Sequence, residues 1–262
     1  MTTALAAEVS VESLATSGAL PAEYEAIFVS GSVIEGWGHA NSDLDVYVIT
    51  DHPVVGERVT FEYVRLDPTD LPSLSVYPSG RRIDVEYWRP SQIDQLLAKV
   101  AELPQLGAQS AGSDLEWLEI AILDRISVGR ALENEPWLEE VKKRVRESAI
   151  RAILTSHKFN LADSLFNDAS GLLSSGDLES AVLAARRGFD LTIDGLLAAC
   201  GELAPSHKWR ARKMRRAQPA ELGWEEFWRI AVMADLAALG ERRWVTMVVT
   251  RCQTLIGSVE IG

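Results

Sequence analysis

The sequence predicts an α+β fold, with a small mixed β-sheet domain and flanking helices followed by an all-α helical domain. Three observations carry this expectation. Residues 1 to about 110 alternate short β-rich runs with turn clusters, and from about 114 onward apolar residues recur at helical spacing. Between the two lies 105–113 (QLGAQSAGS), with the small, polar, Gly-bearing composition of a linker. The domains are therefore drawn at 1–110 and 111–262.

In the first part, 26–30 (AIFVS) reads as a short buried strand, 44–49 (LDVYVI) as a second, 58–66 as a third and 82–88 (RIDVEYW) as a fourth. Helices to cover them are expected around 9–15, as a short turn after Gly31, and over 91–102, where Pro90 and Ser91 are start signals. In the second part Ser113 can cap a helix over about 114–127. Further helices are expected over 136–174, 177–200, 206–216, 224–239 and 241–256, with a break within or after the first of these that the pattern does not fix. Leu178, Val182, Phe189, Ile193, Leu196 and Leu197 form a stripe that reads as core, and Gly201 stands where a helix stop belongs.

Composition bounds the function. With 47% hydrophobic residues among 262 the chain can bury a sizeable core. No apolar run approaches the roughly 20 residues that cross a bilayer, and the start lacks a basic segment followed by an apolar one. A soluble, cytoplasmic protein without a membrane partner is expected. Cys200 and Cys252 are too few for a disulfide framework and form no metal-ligand pair at short spacing. A formal net charge of -12 repels extended nucleic acid, whereas a small anion needs only a few cations and a bound metal.

The chemistry is concentrated in 28–49 (FVSGSVIEGWGHANSDLDVYVI), where a strand ends at Gly31-Ser32 and Asp43 and Asp45 open the next strand. Residues i and i+2 on a strand share a face, so the two carboxylates converge and call for a divalent cation such as Mg²⁺. A loop without bulky side chains at Gly31 and Ser32 lets backbone N–H groups and a hydroxyl approach phosphate oxygens. Asp84, between apolar neighbours in a strand and with Glu86 on its face, completes a three-carboxylate set of the kind used with two metals for in-line displacement.

These residues resemble the DNA polymerase beta-like nucleotidyltransferase superfamily, whose signature is a strand, Gly-Ser or Gly-Gly, about ten residues, then Asp-x-Asp or Asp-x-Glu. Here the match is Gly31-Ser32, ten intervening residues, then Asp43-Leu44-Asp45 preceded by Ser42. The resemblance implies metal ligands at Asp43, Asp45 and Asp84, two Mg²⁺ ions, ATP or another NTP as co-substrate, and nucleotide contacts from Gly31, Ser32 and Ser42. In small-molecule members the later acid is often Glu and acts as general base, so Asp84 departs from the pattern and Glu86 can share or take that role.

The order of a catalytic domain and then a helical one resembles the aminoglycoside and lincosamide nucleotidyltransferases. That implies transfer of a nucleoside monophosphate, AMP from ATP, to a hydroxyl of a small acceptor, with release of pyrophosphate. Protein- or transfer-RNA-modifying relatives, or a catalytically silent antitoxin-like module, are the alternatives.

In the helical half, 207–216 (HKWRARKMRR) holds seven basic or titratable side chains in ten positions. Lys208 and Arg210 are candidates for the triphosphate, against a solvated amphipathic face as the bland reading. Lys158 is a further phosphate candidate. Asp190 and Asp194 read either as a negative rim for an amine-rich acceptor or as surface ion pairs. His39 reads as a phosphate or ribose contact, or as an exposed loop histidine; Trp37 and Trp88 read as base-stacking or core residues.

Overall fold

The computed structural model describes residues 9–39, 41–52, 54–102, 115–204 and 206–260. The expected linker at 105–113 and the Ser113 cap lie outside them. The chain divides into two compact units, Met1–Ala101 with Glu116–Ser148, and Glu102–Leu115 with Ala149–Gly262.

The first unit is built on a six-stranded sheet among the described residues. Its strands are β1 (Ala26–Ser30), β2 (Leu44–Ile49), β3 (Thr60–Tyr63), β4 (Asp70–Val76), β5 (Ile83–Trp88) and β6 (Arg130–Glu133), in the order β3-β4-β5-β2-β1-β6. β2 and β5 pair in parallel and the neighbouring pairs are antiparallel, so the sheet is mixed. Its helices are α1 (Val11–Thr16), α2 (Pro90–Lys99), α3 (Trp117–Val128) and α4 (Glu135–Glu147).

Two strands were not expected. β4 contains Pro72, which argues against a central strand, but Pro72 lies one residue beyond the β4–β5 register, where its missing N–H deprives β5 of nothing. β6 is four residues long between two helices and adds to β1 at the sheet edge. The sheet unit therefore extends past the expected boundary at 110. The Ser30 hydroxyl ties α3 to β1 by donating to the Arg125 carbonyl (2.9 Å).

Strand alternation sorts the side chains. Ile27, Val29, Leu44, Val46, Val48, Leu74, Val76, Ile83, Val85 and Tyr87 share one buried cluster with Leu14 of α1. The alternate positions, including Ser30, Asp45, Asp84 and Glu86, belong to the opposite face. α3 is anchored to α2 by a Lys99 Nζ to Glu119 Oε1 contact of 2.6 Å, with Glu119 fully buried and its other oxygen accepting from the Glu116 amide.

The second unit is helical among its described residues: α5 (Ile150–Ser175), α6 (Leu178–Ala199), α7 (Arg210–Ala217), α8 (Trp224–Ala231), α9 (Leu236–Leu239) and α10 (Glu241–Ser258). The expected helix over 136–174 is α4 and α5, broken at Ser148, whose amide and hydroxyl both turn back to the Val145 carbonyl. The expected helix over 224–239 breaks where Met233 takes φ +52°, a left-handed conformation no helix continues through. The apolar stripe of α6 is core: Val182, Phe189, Ile193, Leu196 and Leu197 join Phe166, Trp244 and Val248.

Two glycines bring α5 and α6 together. A Cβ on Gly188 would lie 2.3 Å from the Phe166 ring, and one on Gly195 2.6 Å from the Phe159 ring. Each glycine makes room for one aromatic ring, and both pairs repeat at seven residues, two turns of helix. No helix among the described residues is long and apolar enough to cross a membrane.

Gly188→Ala should destabilise the protein by roughly 1–3 kcal/mol through overpacking against Phe166. At Gly171 of α5 nothing lies within 4 Å of an added Cβ, so Gly171→Ala should instead stabilise by about 0.5–1 kcal/mol through helix propensity. Urea unfolding followed by circular dichroism reads both; equal shifts at the two positions would contradict the close-approach account.

Candidate active site

The placement of the acids follows from strand register. Asp45 on β2 stands opposite Asp84 on β5, and Tyr47 opposite Glu86. β1 places Ser30 beside Asp45, and β4 places Ser75 beside Asp84. Since neighbouring strands lie about 4.8 Å apart, Ser30, Asp45, Asp84 and Ser75 form one row across four strands. Phe28, Tyr47, Glu86 and Ser73 form the next row on the same face. Asp43 is exposed and precedes β2 by one residue, close enough for its charge to act on Arg82.

Each acid in the row has a cation. Arg82 Nε lies 2.9 Å from Asp84 Oδ1, which also accepts from the Ser75 hydroxyl at 2.5 Å. Arg125, from α3, brings Nη2 to 4.0 Å from Asp45 Oδ2. Burial opposes its charge, but the Asp45 and Asp124 carboxylates nearby hold the guanidinium protonated. Tyr47 is buried, and that burial, with Glu86 and Asp45 nearby, keeps its phenol neutral well above the usual range.

Glu86 is partly buried and accepts from the Trp88 indole N–H at 3.0 Å. Desolvation raises its carboxyl to about 7; the Trp88 hydrogen bond works against this, while Asp45 and Glu62 add to it. Trp88 is fully buried, so it is a core residue that feeds Glu86.

Gly31 ends β1 with φ +85°, and a Cβ there would fall 2.0 Å from Asp45 Oδ2. Both the conformation and the contact require glycine. The expected turn of helix after it is a run of turns: the Glu35 amide donates to the Gly31 carbonyl, and the Trp37 and Gly38 amides both donate to the Ser32 carbonyl at 2.7 and 2.8 Å. Among the described residues, the amides of Ser32, Val33 and Ile34 donate to no backbone carbonyl, the condition for a concave anion cradle.

Ser42 is buried at the far end of the loop. Its hydroxyl accepts from the His39 amide and its own amide donates to the His39 carbonyl, both at 2.9 Å, while Arg81 Nη2 donates to the Ser42 carbonyl. The exposed His39 ring accepts from the Asn41 amide through Nδ1.

Asp45 and Asp84 offer the oxygen-only donor set that a hard divalent cation prefers. Among the described residues no three His, Cys, Asp or Glu side chains stand together so as to hold an ion by themselves. A cation held by this pair would have to complete its shell with other oxygens, as Mg²⁺ commonly does with phosphates.

The other candidates belong to the second unit. Lys208 is exposed, with Nζ 5.1 Å from the Trp209 ring centroid. Lys158 is partly buried; burial lowers its amine, Asp194 opposes this, and Arg187 and Arg210 add to it. Asp190 pairs with Arg186 and, at 3.1 Å, with Arg210. Arg210 is itself buried and takes both oxygens of Asp194, at 2.9 and 3.1 Å. Lys213, also buried, donates to the Ala204 carbonyl at 2.8 Å. Segment 207–216 is thus partly interior, and Arg210 is committed to Asp194.

Sequence reasoning missed Arg125, Arg82 and Ser75. Arg82 could have been found, since it lies two residues before Asp84 and so shares its face. Arg125 carries a weaker signal, as a cation near the end of a largely apolar helix, WLEIAILDRISV.

A nucleotidyltransferase-like protein from Exiguobacterium sibiricum 255-15 is similar in structure over 98% of this chain and 75% of its own, with a TM-score of 0.44 and 15% identity. No family model and no curated protein matches the sequence.

Gly31→Ala should displace the Asp45 carboxylate and cost about 1–3 kcal/mol from the strained φ and the contact; thermal unfolding unchanged within error would contradict the geometry. Glu86 gives a pH dependence. The folded state binds its proton more tightly than the unfolded state between about 4.5 and 7, so with chelator present its contribution to stability falls as pH rises across that window and then levels off. Glu86→Gln should remove this loss, up to roughly 3 kcal/mol at pH 7.5, and match the wild type near pH 4.5. Parallel melting curves at both pH values would sink the assignment.

Proposed function

We propose that the protein is a metal-dependent nucleotidyltransferase that moves a nucleoside monophosphate, AMP from ATP, onto a hydroxyl of a small acceptor and releases pyrophosphate. The observation that carries this reading is the register pairing of Asp45 with Asp84 beside a turn that only Gly31 can make. Acidic oxygens beside amides that donate to no backbone carbonyl suit a triphosphate bound through a divalent cation.

In this reading Asp45 and Asp84 hold Mg²⁺, with Asp43 at the open end of the pair. The bound cation supplies Lewis-acid neutralisation of charge developing on the phosphates. Gly31 and Ser32, with the amides up to Ile34, cradle the terminal phosphates; Ser42 fixes the return of the loop to β2. Asp84 takes the proton from the acceptor hydroxyl. Glu86 is the second candidate for that step, favoured by a carboxyl poised near 7, the range in which a general base works best. Lys158 and Lys208 are proposed phosphate ligands of the second unit.

The net charge of -12 supports a cationic, amine-bearing acceptor such as an aminoglycoside over long nucleic acid. The pairing of Asp190 with Arg186 and Arg210 weakens its use as an acidic rim, because its charge is already compensated.

The test is incubation with each labelled NTP and Mg²⁺ against aminoglycosides, lincosamides, proteins and transfer RNA, read by mass. A nucleoside monophosphate gained on a small acceptor, with pyrophosphate released, is the expected result. Gain on protein or RNA would move the acceptor class, and NTP binding without release under any acceptor would identify a silent module. Asp45→Asn should lower turnover by on the order of a hundred- to a thousandfold or more, with the circular dichroism spectrum retained. Full turnover in that variant would reject the site.

A further inference from the structure

The two acids at the centre of the row are each met by an arginine from a different direction. Arg82 reaches Asp84 from the residue just before β5, at 2.9 Å and with half of its side chain exposed, at 53%. Arg125 reaches Asp45 from α3, at 4.0 Å, and its backbone is tied to β1 by the Ser30 hydroxyl on its carbonyl. Neither residue is needed to close the sheet, whose register is set by backbone pairing.

Counting formal charges, Asp43, Asp45, Asp84 and the Asp124 beside Arg125 contribute four negatives and the arginines two positives, leaving about two. A divalent cation approaching this row meets two like charges within a few ångströms, where interactions are worth several times their value in bulk water. A polyphosphate changes the balance. It adds negative charge, completes the cation's shell, and offers Arg82 a new partner, which its exposed stem allows it to reach.

Resting on the transferase reading, we infer that Arg82 and Arg125 are built-in counter-ions of Asp84 and Asp45, keeping affinity for a free divalent cation low so that it enters together with the polyphosphate. Arg125 is a fixed positioning residue for Asp45, and Arg82 is the partner that exchanges.

Mn²⁺ binding to the nucleotide-free protein, measured by calorimetry and by the electron paramagnetic resonance of free Mn²⁺, tests this. Arg82→Gln and Arg125→Gln should each tighten Mn²⁺ binding about tenfold, and Arg125→Lys should stay near the wild type because the charge is kept. Adding Asp84→Asn to Arg82→Gln should abolish the gain. Saturating nucleoside triphosphate should shrink the difference between wild type and variants. Mn²⁺ affinity that is unchanged, weaker or undetectable in both glutamine variants overturns the inference. Because Arg82 is exposed, Arg82→Gln keeps the test open even if Arg125→Gln misfolds. Triphosphate binding is measured separately: a gain in Mn²⁺ affinity with no triphosphate bound would uphold the counter-ion role while removing the transferase reading.

Discussion

The parallel pairing of β2 with β5 sets two carboxylates side by side on adjacent strands. Asp45 and Asp84 share one row and one face, and like charges at that spacing are unfavourable unless cations or hydrogen-bond donors compensate them. Much of the local architecture answers this constraint. Arg125 arrives on α3, Arg82 from the residue just before β5 and the Ser75 hydroxyl on β4, and Gly31 leaves room for the Asp45 oxygen. α3 in turn depends on the buried Glu119 carboxylate, whose pairing with Lys99 ties it to α2. A buried carboxylate without its lysine would cost several kcal/mol, so a contact remote from the acids helps to fix the helix that carries Arg125.

The sheet was partly legible in the sequence. β1, β2 and β5 are short runs whose alternation or continuous apolarity marks them, and their acids fall at positions the period of two predicts to converge. β4 was hidden by Pro72 and by Ser73 and Ser75, which face the site rather than the core. β6 is too short to show a period and exists only because β1 offers it an edge. That strand, with α3 and α4, carries the sheet unit beyond the change of composition near 110. Local patterns report what a segment prefers, and edge pairing is decided by a distant partner.

The same limit applies to the candidate site. Glycine and aspartate spacing was readable because both are local, whereas the arginine that meets Asp45 lies eighty residues further along. In the helical unit the basic run 207–216 looked mainly like a solvated face, yet Arg210 and Lys213 turn inward to Asp194 and the Ala204 carbonyl. Charge along a sequence does not reveal which side chains will find buried partners. The glycines at 188 and 195 carried a signal, seven residues apart within an apolar helix, but only the facing rings of Phe166 and Phe159 explain them.

A crystal structure with Mn²⁺ and a non-hydrolysable nucleoside triphosphate, using manganese anomalous scattering, tests the central claim most directly. The account predicts an anomalous peak in contact with carboxylate oxygens of both Asp45 and Asp84, with phosphate oxygens against the Ser32–Ile34 amides and Arg82 moved off Asp84. A triphosphate bound elsewhere, with both acids still held by their arginines, would contradict it.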